Sequence, residues 1–236
     1  MKYSFTPDSN KAETVDGAIR RVKTRRELAD ALGAPSRVMR EFASDVLQEV
    51  AHTNSDLLVD FSTEILDALD RPESFTRYNI LLILDTFVKS HAQVVAKALP
   101  QLEDCLYDEE SKIVRLQAFE VLCRFGALTE TRSKTVWQYV SEALRCYHGD
   151  PEYLTMLGYL IDMLQSSKVA DSVKEGAVRL FAFDAEQGKG LLQKKAQQIV
   201  AFAPEVLDKI KAEQAAAAAN RNTGPVVDDD YDDDLD

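Results

Sequence analysis

From Ala18 to about residue 210 one pattern recurs along the chain: apolar residues at three- and four-residue intervals, interrupted at regular distances by Gly, Pro, Ser or Asp. That spacing places apolar side chains on one face of an α-helix and argues against strands, whose faces alternate at every residue. Pro35, Pro72 and Pro151 each open an apolar segment, as proline does in a first helical turn, and Glu110 holds the equivalent place in a fourth. These landmarks are separated by 37, 38 and 41 residues. Eight, twelve and fifteen residues after them come Ala43, Leu47, Val50; Ile80, Leu84, Phe87; Ala118, Leu122, Phe125; and Tyr159, Met163, Ser166, each set on one helical face. A looser fifth copy spans 190–202.

A second set of amphipathic segments, 55–70, 92–108, 133–149 and 170–184, alternates with the first. Two helices per ~40 residues, repeated, predict an all-α solenoid in which each hairpin buries its apolar face by stacking on its neighbours. Residues 1–17 lack apolar periodicity and are expected as a flexible arm, 18–219 as the repeat domain, and 220–236 as a disordered acidic tail beyond the Ala-rich helix end at 212–220.

The stretch 99–122, LPQLEDCLYDEESKIVRLQAFEVL, resembles a HEAT repeat in its Leu-Pro opening, the Asp in its turn, the Val-Arg of its second helix and the Ala and Leu that follow. The match extends to 69–84, where Asp70 and Arg77 recur seven apart as Asp108 and Arg115 do. The resemblance implies a right-handed α–α superhelix, HEAT/armadillo-like, of about five helical hairpins. It also implies that Asp70, Arg77, Asp108 and Arg115 serve a structural ladder between repeats, while Pro100 bends its helix by removing a backbone donor. Arg40 fills the same slot without an acidic residue seven before it, and Met156 replaces the arginine in the fourth copy, so the ladder is expected to stop short of the full length. A scaffold is implied, not a catalyst.

Composition agrees with a soluble, core-forming chain: 45% of residues are hydrophobic and 29% charged, and nine Gly with seven Pro leave little turn chemistry for many strands. Three cysteines without a CxxC pair suit a reducing compartment, and neither a signal sequence nor an apolar run of membrane-spanning length is evident, so a cytoplasmic location is expected. The net charge of −12 is uneven, because Asp228, Asp229, Asp230, Asp232, Asp233, Asp234 and Asp236 carry seven of those charges. Arg20, Arg21, Lys23, Arg25 and Arg26 put five positive charges near the other end.

Three features are candidate sites. Six, nine and thirteen residues after the landmarks runs an apolar stripe that includes Tyr78, Leu81, Leu116, Phe119, Leu157, Leu160 and Leu164. On a concave surface it would be a groove for a protein partner; on central helices flanked from several sides it would be core. The basic cluster could bind phosphate, which gives a nucleic-acid-associated protein as the alternative, or it could be a solvated helix face. The tail could fold back on that cluster. No glycine-rich phosphate loop, GxSxG, HExxH or Cys/His constellation is present, so neither enzyme activity nor a metal or cofactor is expected. A HEAT-like DNA glycosylase is a rival of matching size, but Trp137 is the sole tryptophan and an apolar stripe stands where a basic surface would be needed. The expected activity is that of a non-enzymatic scaffold, monomeric by default, binding a protein along its concave side.

Overall fold

The computed structural model describes residues 3–221. Among them are thirteen α-helices and no strand. The repeated second helices are α3 (Arg37–Thr53), α5 (Ser74–Ser90), α8 (Lys112–Gly126), α10 (Tyr153–Leu164) and α12 (Gly190–Val200). They pack side by side in that order as one layer. The first helices form the other layer: a segment of 3-10 turns around α4 (Ser62–Asp67), the pair α6 (Ala92–Lys97) and α7 (Leu99–Leu106), α9 (Glu130–Cys146) and α11 (Asp171–Gln187). The chain is therefore an all-α solenoid, as the periodicity predicts. The split between α6 and α7 falls at Ala98, with Pro100 in the first turn of α7, because proline has no amide to continue the preceding helix.

The N-terminal stretch departs from expectation. Residues 11–20 form α1 (Lys11–Arg20), capped by Asn10, whose side chain accepts from the Glu13 amide at 3.2 Å. Phe5 is buried against Tyr3 and Phe42. Lys11 Nζ pairs with Asp45 on α3 at 2.8 Å. An aromatic anchor, the pairing of Lys11 with both Asp45 and Glu49, and hydrogen bonds from Ser4 to Glu27 thus hold the described part of the predicted arm, and none of these produces periodicity in sequence. The chain then turns at Arg21, which is extended, into α2 (Val22–Ala31).

The two layers enclose one core that runs from Phe5 to Val206. All four copies of the predicted core face contribute, although Tyr159 and Ser166 remain partly exposed. Gly126 allows close packing: a Cβ there would lie 2.7 Å from both Met163 and Val136. The last helix, α13 (Pro204–Arg221), packs on α11. The predicted tail with its seven aspartates lies outside the described residues.

Candidate interaction surface

The apolar stripe is mostly core. Leu81, Phe119, Leu157 and Leu160 are completely buried and Leu164 nearly so. Central second helices are covered by the first-helix layer and by a second helix on either side, leaving too little free arc for both faces to reach solvent. Tyr78 and Leu116 alone of the seven are partly exposed. The expected groove is therefore absent as drawn.

The basic cluster also dissolves. The turn at Arg21 divides it between α1 and α2, and four of its members are engaged. Arg20 pairs with Asp16, Lys23 lies 3.9 Å from Glu27, and Arg26 pairs with Glu64 while stacking over Phe61. Arg25 is buried and donates to the carbonyl oxygens of Ala18 and Ile19, fastening α1 to α2. Arg21 and Arg25 are the two members without an ion-pair partner among the described residues, and Arg25 is held by backbone carbonyls instead. A phosphate-binding face needs free, convergent cations, and this arrangement does not supply them.

The inter-repeat ladder is present with different partners. Arg40 pairs with Glu73, Arg77 with Asp108, and Arg115 with Glu152, all largely buried. Each arginine also donates to carbonyl oxygens at the entrance of its own helix: Arg40 to Ala34, Arg77 to Arg71, Arg115 to Asp108. Arg77 thus reaches forward to the next repeat rather than back to Asp70, which is exposed. Glu73 and Glu152, the residues just before α5 and α10, were not evident as ladder members because they lie a full repeat away from their arginines. Hydrogen bonding by Arg40 and Arg115 holds the Glu73 and Glu152 carboxyls below the usual glutamate range. A carboxyl that is more acidic folded than unfolded contributes its full stability above the ordinary glutamate value of 4.5 and loses it as pH falls through the lower folded value. Urea unfolding should show the wild type losing stability below about pH 4.5 more steeply than the Arg40→Met/Arg115→Met variant, in which that depression is gone.

From α3 to α10 the ladder ties the start of each second helix to the one before, and along these starts runs a feature absent from the predicted sites. The second residue of every second helix is apolar: Val38 in α3, Phe75 in α5, Ile113 in α8, Leu154 in α10 and Leu191 in α12. Val38, Phe75, Ile113 and Leu191 are exposed by 57, 46, 53 and 54%, and Leu154 partly. A helical Cα–Cβ bond leans toward the N-terminus, so a side chain in the first turn projects past the helix end. The five residues form a row along the edge where first helices turn into second helices. Tyr78 and Leu116, one turn further on, widen the row beside Phe75 and Ile113. In sequence the same row was available as the third residue after each landmark; it went unread because an isolated apolar residue in a polar turn carries no periodic signal of its own.

Elsewhere in this layer Thr76 Oγ1 and Asp85 Oδ1 are buried without a hydrogen-bond partner. Arg124 bridges Asp85 at 2.8 Å and Glu120 at 2.7 Å, while desolvation pushes the Asp85 carboxyl up. Trp137 packs against Gly176 of α11, away from the second-helix layer. Among the described residues no group of three or more His, Cys, Asp or Glu is arranged to hold a metal ion, and no helix is long and apolar enough to cross a membrane.

No family model and no curated protein matches the sequence. Solved structures do. The chain is similar to a designed armadillo repeat protein in complex with the peptide (KR)4, at 13% identity and a TM-score of 0.63 over 81% of this chain and 90% of that one. Computationally designed armadillo repeat proteins for modular peptide recognition give 13% identity and a TM-score of 0.63 over 81% and 91% of the two chains. An archaeal HEAT-like repeats protein from Thermococcus onnurineus NA1 gives 15% identity and a TM-score of 0.53 over 85% and 95%. At such identities the likeness concerns the fold. The chain has the armadillo/HEAT-like repeat fold.

Proposed function

We propose that the chain is a non-enzymatic scaffold that binds a protein segment along the edge formed by Val38, Phe75, Ile113, Leu154 and Leu191. The observation that carries this reading is an apolar side chain at the same place in the second helix of five successive repeats, exposed in four of them and partly so at Leu154. Single exposed apolar residues need no explanation, whereas a contiguous row marks a contact surface. The likeness to armadillo repeat proteins made for peptide recognition supports a peptide or protein as the class of partner.

Spacing sharpens the expectation. Packed helices lie about 8–10 Å apart. A partner helix returns to one face every seven residues, about 10.5 Å, so an amphipathic helix laid across the row meets one rung per two turns.

The test is selection of binding peptides from a random library on the full chain, followed by titration of the selected peptides against a Phe75→Asp/Ile113→Asp variant. Affinity should fall at least about tenfold, the loss expected when central apolar anchors are removed. Folding stability should stay within about 0.5 kcal/mol of wild type, since both positions are exposed. Equal affinity for variant and wild type would overturn the reading.

A further inference from the structure

We propose that residues 222–236 occupy the C-terminal half of this row in cis, covering Leu191, Leu154 and Ile113 until a partner displaces them. The inference deepens the functional reading above and rests on the row being a binding surface.

Three observations converge on this occupant. The first is where the described chain ends. Lys211 of α13 pairs with Glu186 at 3.3 Å, and Glu186 lies near the end of α11, beside the turn that leads into Leu191. From that level the remaining ten residues of α13, 212–221, carry the chain about 15 Å onward, past the edge on which the row lies.

The second is reach. The fifteen residues 222–236 span at most ~50 Å when extended. Leu191 and Ile113 are separated by two helix spacings, about 20 Å, whereas Arg20–Arg26 lie beyond Val38, at least four spacings or about 40 Å away. The basic cluster is the more distant target, and four of its five cations are already engaged.

The third is chemical match. The segment places Val226, Val227, Tyr231 and Leu235 among seven aspartates. The C-terminal half of the row is apolar and flanked by Lys112, Lys189, Lys194 and Lys195, none of which has an ion-pair partner among the described residues, and which outnumber the carboxylates exposed in the same turns, Glu109, Glu110 and Asp150. At the other end Arg37 is already paired with Glu41 at 2.9 Å. Apolar side chains interleaved with anions thus meet apolar side chains interleaved with free cations. Tethering raises the local concentration of such a segment to the order of millimolar, so even a weak contact is occupied. Partner affinity is then set in part by competition with the chain itself.

The test places a nitroxide on Asp236→Cys in a Cys146→Ser background, since Cys105 and Cys123 are buried and unlabelled. Paramagnetic loss of amide signal is read across the full chain. The expected result is loss at 112–116, 153–157 and 190–194 with none at 37–41. The losses should disappear in the Tyr231→Ser/Leu235→Ser variant and weaken in about 0.5 M salt, where surface charges are screened. Loss centred on Arg20–Arg26, evenly spread loss, or loss that persists in the variant would overturn the proposal. So would loss seen when nitroxide and isotope label reside on different chains. Failure of this contact alone leaves peptide selection on the row intact, while failure of selection with the nitroxide contact present sinks the partner reading and keeps this one.

Discussion

Phe119→Ala should destabilise the protein by about 3–5 kcal/mol, the range for truncating a buried phenylalanine in a packed core. Phe119 is completely buried in α8, between α5 on one side and α10 on the other. The buried residues of those helices, Leu81 and Leu157 among them, sit on backbones that cannot collapse independently into the space. Guanidinium unfolding followed by circular dichroism measures the change, with an unchanged slope showing that only stability moved. A change below about 1 kcal/mol would mean that this face is accessible after all, restoring the groove that periodicity allowed. Ile113→Asp, six residues earlier on the same helix, should in contrast leave the midpoint nearly unchanged, because its side chain is 53% exposed.

The second large effect concerns the ladder. Arg115→Met should cost about 3 kcal/mol, because it leaves the Glu152 carboxylate buried without its cation. The Glu152 side chain is only 5% exposed, and its arginine also donates to the Asp108 carbonyl at 2.6 Å and lies over the Tyr147 ring. Adding Glu152→Met should recover most of the loss, since two apolar side chains of similar volume replace a desolvated pair. A double variant as unstable as the single one would show that the arginine acts through its carbonyl and ring contacts instead. The consequence would extend to function: Glu152 precedes α10, so loosening it frees the start of that helix and moves Leu154 out of line with Ile113.

Particular residues show what could be read from the sequence and what could not. Ala43, Leu47 and Val50, with their counterparts Ile80, Leu84, Phe87 and Ala118, Leu122, Phe125, are all buried, because helical periodicity reports directly on which face meets the core. The same periodicity is silent on how many faces a helix buries. Leu81, Phe119 and Leu160 therefore looked like a second surface, and only the stacking of helices on either side decides that they are core. The ladder was half legible. Arg77, Asp108 and Arg115 stood out by resemblance, yet Glu73 and Glu152 pair across 33 and 37 residues, a separation that no local pattern encodes. Charge runs misled for a related reason. Arg20–Arg26 is a cluster in sequence, but a single extended residue between α1 and α2 sends its members to Asp16, Glu27, Glu64 and two backbone carbonyls. Val38, Phe75, Ile113, Leu154 and Leu191 were visible as letters at fixed intervals; their exposure and alignment are properties of packed helix ends.

The most direct test of the interaction surface is hydrogen exchange of the Tyr231→Ser/Leu235→Ser chain, in which the proposed tail contact is released, with and without a library-selected peptide. The first four amides of a helix have no intrahelical acceptor and exchange readily when uncovered. Protection confined to the opening turns of α3, α5, α8, α10 and α12, around Val38, Phe75, Ile113, Leu154 and Leu191, is the expected result. Protection on the outer helices α9 and α11, or around Arg20–Arg26, with those opening turns unchanged, would contradict it.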